Sequence, residues 1–112
     1  MCTKSQLEAI EEEMVNYYRS VYGYSIDTII LYGSYARGDY SDDSDIDITA
    51  IVRGNRVELQ KKLKKMWDFS TEVGLAYDVI VSPTVIPYDE FEQYKEKLPY
   101  YRNIVKEGRK IG

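Results

Sequence analysis

LYGSYARGDYSDDSDIDITAIV, residues 31–52, carries five aspartates between Asp39 and Asp47, and the last two stand among apolar residues. Carboxylates repel one another, and burying them is costly unless a cation joins them. The stretch therefore predicts a site that holds a cation. It is also the part of the chain that best indicates the fold.

The segment SDIDITAIV, residues 44–52, is typical of a strand. Side chains two residues apart on a strand share a face, so Asp45 and Asp47 form a pair of carboxylates. Ile46 and Ile48 should then point the other way, into the core.

A third carboxylate, Asp78, lies in GLAYDVIVS, residues 74–82, which we interpret as another strand that ends at Pro83. If the two strands pair, Asp78 can join Asp45 and Asp47. Ligand sets made only of oxygen suit hard cations such as magnesium. We therefore expect these three residues to bind metal.

Upstream of the carboxylates, a strand-like run leads into Gly33 and Ser34. The amides of such a turn attract phosphate when a short helix begins there, and glycine lets a phosphate approach the backbone closely. A phosphate site facing a metal site is the arrangement that phosphoryl or nucleotidyl transfer requires.

The acidic stretch has two other interpretations. A calcium-binding hand would need glycine and glutamate where Ser44 and Ala50 stand, so that interpretation fails. A solvated loop suits Asp39, Asp42 and Asp43. The role of Arg37 is left open, since its side chain is equally suited to contact a triphosphate or to neutralise nearby carboxylates.

The remaining sequence predicts a small sheet flanked by helices. Ser5 with Glu8 forms a capping-box pattern at the start of a first helix, and Asn55 with Glu58 can cap a second long helix. Two short helical stretches near the end are separated by Pro99. The predicted order is α-β-α-β-α-β-α, in an α/β (α+β) fold that forms a single domain over residues 1–112.

Composition excludes several classes of function. The chain has 112 residues and no histidine, which removes histidine-based catalysis and histidine-ligated metals. Its lone Cys2 cannot form an internal disulfide, and its net charge of −4 makes direct nucleic-acid binding unexpected. We find no membrane-spanning run and no signal sequence, so we expect a cytoplasmic protein with no membrane partner.

Gly33-Ser34, ten intervening residues and Asp45-Ile46-Asp47 together resemble the signature of the nucleotidyltransferase superfamily related to DNA polymerase beta. The longer bacterial form, GSxARGxxxxxSDxDL, also matches, except that Ile48 replaces leucine. The resemblance extends over essentially the whole chain and is greatest to the short bacterial members, the minimal nucleotidyltransferases. The resemblance therefore implies that this chain has the polymerase-beta-type fold.

The resemblance also implies roles for individual residues. Gly33 and Ser34 would hold the β- and γ-phosphates of ATP, while Asp45 and Asp47 would bind two magnesium or manganese ions. Asp78 would bind the catalytic metal and help to deprotonate the acceptor hydroxyl. Two further residues of the longer motif, Arg37 and Ser44, are candidate nucleotide-binding residues.

The same resemblance implies a partner, because minimal nucleotidyltransferases are typically encoded beside a helical HEPN protein, an RNase toxin. The expected role is that of an antitoxin that transfers AMP from ATP to a toxin tyrosine and releases pyrophosphate. Two alternatives stay open: an antitoxin that neutralises the toxin only by binding it, and the catalytic subunit of a small-molecule or tRNA nucleotidyltransferase.

Overall fold

The computed structural model of the protein describes residues 3–112, so Cys2 lies outside the described residues. The described chain forms five α-helices and four strands, with a 3-10 turn (Gly23–Ser25) after the first helix. No helix in this range is long and apolar enough to cross a membrane. In chain order the elements are α1 (Lys4–Tyr22), β1 (Ile26–Tyr32), α2 (Ser34–Arg37), β2 (Ile46–Val52), α3 (Arg56–Tyr77), β3 (Val81–Pro87), α4 (Tyr88–Tyr94), α5 (Pro99–Glu107) and β4 (Arg109–Lys110).

The four strands form one mixed sheet in the order β3-β2-β1-β4. β1 runs antiparallel to β2 and β4, whereas β2 and β3 are parallel. The register places Asp47 of β2 between Tyr32 of β1 and Ser82 of β3. The predicted small mixed sheet with flanking helices is therefore confirmed.

Alternating residues of β2 face two different hydrophobic clusters. Ile46 and Ile48 are fully buried in the larger cluster, to which α1 and α3 contribute, so their predicted inward orientation is confirmed. Ile51, on the other face, packs in a smaller cluster with residues of α4 and α5. Because Asp47 and Ile51 are four residues apart on the strand, Asp47 lies on this second face.

Helix starts were predicted with mixed success. Asn55 does cap α3, since its side-chain oxygen accepts the amides of Val57 at 2.9 Å and Glu58 at 3.4 Å. The capping box of α1, however, is formed by Thr3 and Gln6, and the prediction of Ser5 with Glu8 was wrong. Threonine and glutamine three residues apart satisfy the same pattern of reciprocal hydrogen bonds two positions earlier.

The third strand lies later in the chain than predicted. Residues 74–77 still belong to α3, and β3 begins at Val81, continues through Pro83 and ends at Pro87. Proline is tolerated at Pro83 because β3 is an edge strand, where one row of backbone groups needs no partner strand. The two-residue β4 was not predicted, since it is too short to show an alternating pattern.

Tyr18 ties α1 to the middle of the sheet. Its side chain is fully buried, and its hydroxyl donates to the carbonyl of Thr84 at 2.8 Å or that of Ile48 at 3.2 Å. Burial raises the pKa of the Tyr18 hydroxyl well above its usual value, so it stays a neutral donor.

Replacing Tyr18 by phenylalanine should lower the free energy of unfolding by roughly 1–2 kcal/mol, because buried carbonyl oxygens lose a hydrogen-bond donor. Urea denaturation followed by circular dichroism measures the change. Tyr24→Phe is the matched control, since Tyr24 is fully exposed and its loss of a hydroxyl should change nothing. Equal midpoints for the two variants would show that the Tyr18 hydroxyl does not stabilise the fold.

Candidate active site

Gly33 forms the turn between β1 and the short helix α2, and it lies directly against Asp47. Its backbone has φ +77°, and a Cβ atom added there would lie 2.6 Å from Oδ2 of Asp47. The Gly33 carbonyl accepts the amides of Ala36 and Arg37, both at 3.1 Å, which fixes the turn. Glycine is therefore required twice, for the backbone conformation and for the close approach of the carboxylate.

Asp45 and Asp47 lie next to each other at the start of β2. Asp45 is exposed immediately before the strand, and Asp47 is partly buried within it. Burial and the nearby charge of Asp45 raise the pKa of the Asp47 carboxyl, and the charge of Arg37 lowers it to a smaller extent. The pair thus carries a repulsion that a bound cation would relieve.

Arg37 ends α2 and is held by two carboxylates. Its Nε donates to Asp39 and its Nη1 to Glu107, each at 3.2 Å. These two partners raise the pKa of the Arg37 guanidinium. Of the two roles left open for Arg37, neutralising nearby carboxylates is the one that the contacts within residues 3–112 display.

Ser44 organises the loop that leads into β2. Its hydroxyl oxygen accepts the Ser41 amide at 2.9 Å, and its own amide donates to the Ser41 carbonyl at 3.1 Å. Asp42 and Asp43 are exposed in the same loop, which agrees with the predicted solvated turn. Ser44 therefore positions Asp45 through the loop backbone.

Asp78 does not lie in a strand, and this part of the prediction was wrong. It caps the C-terminus of α3 in the left-handed conformation, with φ 56° and ψ 49°, and its amide donates to the Gly74 carbonyl. The helix continues this far because Val73 and Gly74 still face the core. Aspartate tolerates the left-handed region better than most residues do.

The expected three-carboxylate metal cluster is also not formed. Among residues 3–112, no three acidic, cysteine or histidine side chains gather closely enough to hold a metal ion. Asp78 is exposed at the α3–β3 turn, where it shares a cavity of about 730 Å³ with Asp45. The structure thus brings Asp45 close to Asp47, and it places Asp78 in the lining of the same cavity as Asp45.

Three polar residues of this face were not predicted. Tyr32 and Ser82 flank Asp47 on the neighbouring strands, and the Tyr32 hydroxyl is 2.8 Å from that of Tyr100. Thr49, two residues beyond Asp47, has a buried Oγ1 without a hydrogen-bond partner in the described chain. Residue spacing would have indicated Thr49, whereas Ser82 required the correct register of β3.

The pH dependence of stability should reveal the cost of burying the Asp47 carboxylate beside Asp45. Because the folded state raises the Asp47 pKa above its usual value near 3.8, folding favours the protonated form, and stability falls as the pH rises through this region. Without divalent ions, Asp47→Asn should therefore be more stable than the original protein at pH 7, with a difference that shrinks below about pH 4. Urea denaturation at both pH values measures it, and a difference independent of pH would contradict this account.

Comparisons with known proteins assign the fold and the family. The nucleotidyltransferase domain family matches residues 8–111. Two similar proteins from Methanocaldococcus jannaschii are each named "Putative protein adenylyltransferase". One is 37% identical over 98 residues, covering 88% of this chain and 90% of its own length. The other is 34% identical over 76 residues, covering 62% of this chain and 75% of its own length.

Several solved structures share the fold at low sequence identity. A toxin–antitoxin crystal structure with AMP-PNP has a TM-score of 0.53 at 17% identity and covers 90% of this chain and 72% of its own. The structure of a mutant MntA–HpeT toxin–antitoxin has a TM-score of 0.57 at 16% identity and covers 91% of this chain and 72% of its own. The structure of a tri-AMPylated Shewanella oneidensis HEPN toxin in complex with MNT antitoxin has a TM-score of 0.53 at 16% identity. It covers 94% of this chain and 71% of its own. With the family match over nearly the whole length and a relative above one-third identity, this chain belongs to the nucleotidyltransferase domain family and is a nucleotidyltransferase.

Proposed function

We propose that this nucleotidyltransferase uses magnesium and ATP to transfer AMP to a tyrosine hydroxyl of a cognate HEPN-family toxin, and so acts as its antitoxin. One observation carries the proposal: the Gly33–Ser34 turn lies against the Asp47 carboxylate with no room for a side chain between them. A triphosphate held by this turn would meet the two carboxylates directly, as transfer at a phosphorus atom requires.

The residues present fit a magnesium ion. Magnesium is usually held by one or two carboxylates together with water and substrate phosphates, so Asp45 and Asp47 are sufficient without a third acidic ligand. The pKa of the Asp47 carboxyl is raised, first by burial and then by the charge of Asp45, so a bound cation would favour its ionised form. When bound, magnesium would neutralise the charge of the phosphates and the leaving pyrophosphate.

The proposed reaction is a single displacement. The acceptor oxygen forms a bond to the α-phosphorus of ATP, the bond from that phosphorus to the oxygen bridging the β-phosphate breaks, and pyrophosphate leaves. Gly33 and Ser34 bind the phosphates, and the charge of Arg37 faces the same region. Asp78, which is exposed in the lining of the same cavity as Asp45, is the candidate to receive the proton of the acceptor hydroxyl.

The acceptor and the partner are proposed from the similar proteins. The M. jannaschii relatives are named as protein adenylyltransferases, and the Shewanella structure pairs an MNT antitoxin with an AMPylated HEPN toxin. A second function, neutralisation of the toxin by binding alone, is favoured by one observation. The described residues lack the group of three carboxylates that we expected of a fully equipped metal site.

A transfer experiment separates the two functions. The proposed HEPN-family partner would be incubated with labelled ATP, magnesium and a catalytic amount of this chain. We expect nucleotide to appear on a partner tyrosine, and we expect the partner to stay inactive after separation, because a covalent mark outlasts the enzyme's departure. Mass spectrometry of the partner and an RNase assay measure both results.

Two variants control this experiment. Asp45→Asn with Asp47→Asn should abolish labelling in a folded protein, since both metal-binding charges are removed while side-chain volume is kept. Asp68→Asn with Asp89→Asn removes the same charge at exposed positions elsewhere and should label normally. Neutralisation that needs an equimolar amount, survives a chelator and leaves no nucleotide on the partner would establish the binding function instead.

Gly33 provides a test that needs no acceptor. Gly33→Ala places a methyl group where the Asp47 carboxylate lies, whereas Gly38→Ala creates similar backbone strain at φ +89° with nothing within 4 Å. Saturating Mg-ATP at a hundredfold over its dissociation constant should stabilise the original protein by about 2.7 kcal/mol. We expect thermal denaturation to show this gain in Gly38→Ala and its loss in Gly33→Ala. Equal gains in both variants would remove the Gly33 turn from the nucleotide site.

A further inference from the structure

The cavity beside Asp45 has an apolar wall that is open to solvent. It measures about 730 Å³ and lies between α3, the α3–β3 turn and the loop that enters β2. Three large apolar side chains that line it are unusually exposed: Trp67 at 44%, Leu75 at 81% and Ile80 at 62%. Apolar surface gathered in one concave place marks an interaction site more often than the same residues scattered singly.

The lining of the same cavity is also acidic. Asp43, Asp45 and Asp78 line it together with Asp42. Neither lysine nor arginine is among the described residues that line the cavity. Without a bound metal ion, phosphate-bearing ligands such as RNA or a free nucleotide would be repelled here, whereas a cationic group would find several carboxylates within reach.

The apolar wall is long enough for a segment of protein. Trp67, Thr71 and Leu75 follow one another at four-residue spacing, so they line one side of α3 over about 12 Å of its axis. The cavity also touches the catalytic end of the sheet, because Asp45 belongs to its lining. A segment bound along α3 would therefore end beside the proposed metal ligands.

We infer that this cavity is the docking cleft for the protein acceptor, and that its occupant is a segment with an apolar anchor and flanking lysine or arginine side chains. The inference rests on the proposed protein-adenylylating function and names the chemistry of its acceptor. The anchor packs on Trp67, Leu75 and Ile80, and the cationic side chains face Asp43 and Asp78. Charge complementarity selects this occupant over an acidic peptide or a nucleic acid.

Kinetics with the proposed HEPN-family partner as the acceptor test the cleft. Leu75→Ala should raise KM for that protein roughly tenfold with little change in kcat, since truncating an interface anchor weakens docking and leaves the nucleotide site intact. Asp43→Asn should raise KM less and should weaken its dependence on salt. Stabilisation by Mg-ATP should be unchanged in both variants.

Val57→Ala is the matched control, because Val57 is also on α3, is 61% exposed and does not line the cavity. Equal KM values for Leu75→Ala and Val57→Ala, with transfer intact, would overturn the docking cleft and leave the proposed function standing. Self-association that Leu75→Ala abolishes without weakening acceptor binding would also overturn it, in favour of a contact between copies of this chain.

Calorimetry in the presence of a chelator separates the cleft from the chemistry, since it measures binding of the same acceptor without transfer. Weaker binding by Leu75→Ala than by Val57→Ala supports the cleft, even if the original protein transfers no nucleotide and the proposed function fails. Equal binding by the two variants overturns the cleft.

Discussion

The antiparallel pairing of β1 with β2 is the constraint on which the site depends. It places Tyr32 opposite Asp47, so that the next residue, Gly33, turns the chain against the Asp47 carboxylate. Ten residues, which include most of α2 and the loop after it, separate the Gly-Ser pair from the aspartates in sequence, yet the strand register alone brings the two together. The length and composition of the loop can therefore vary more freely than the strand ends it connects.

Burial of the opposite face of β2 makes a carboxylate tolerable at this position. Ile46 and Ile48 are fully buried, and each contributes about 1.5–3 kcal/mol through the apolar surface it removes from water. Tyr18 adds a hydrogen bond from α1 to the sheet beneath them. The core thus holds the strand in register while its other face carries the partly buried Asp47 carboxylate, whose pKa is raised by burial and by the charge of Asp45.

The sequence predicted those parts of the site that depend on local rules. Alternation in β2 gave the orientations of Ile46 and Asp47, and the glycine-serine spacing indicated the turn. The position of Asp78 was not predictable in this way, because apolar residues ending a helix and apolar residues beginning a strand look alike over a few positions. Only tertiary packing decides that Gly74 stays helical, with the Val79 carbonyl 2.5 Å from where its Cβ would be.

The shifted position of Asp78 divides the proposed reaction between two sides of Asp45. On one side, β1, β2 and the Gly33 turn offer backbone and carboxylate to a metal-bound triphosphate. On the other, α3 and the α3–β3 turn offer an apolar wall and Asp78 to the acceptor. A chain without histidine needs another group to receive the acceptor proton, and a carboxylate exposed on the acceptor side can do so without adding to the charge beside Asp47. In the proposed reaction, the absence of Asp78 from the Asp45–Asp47 pair also spares the metal site the repulsion of a third carboxylate, which the cation would have to overcome.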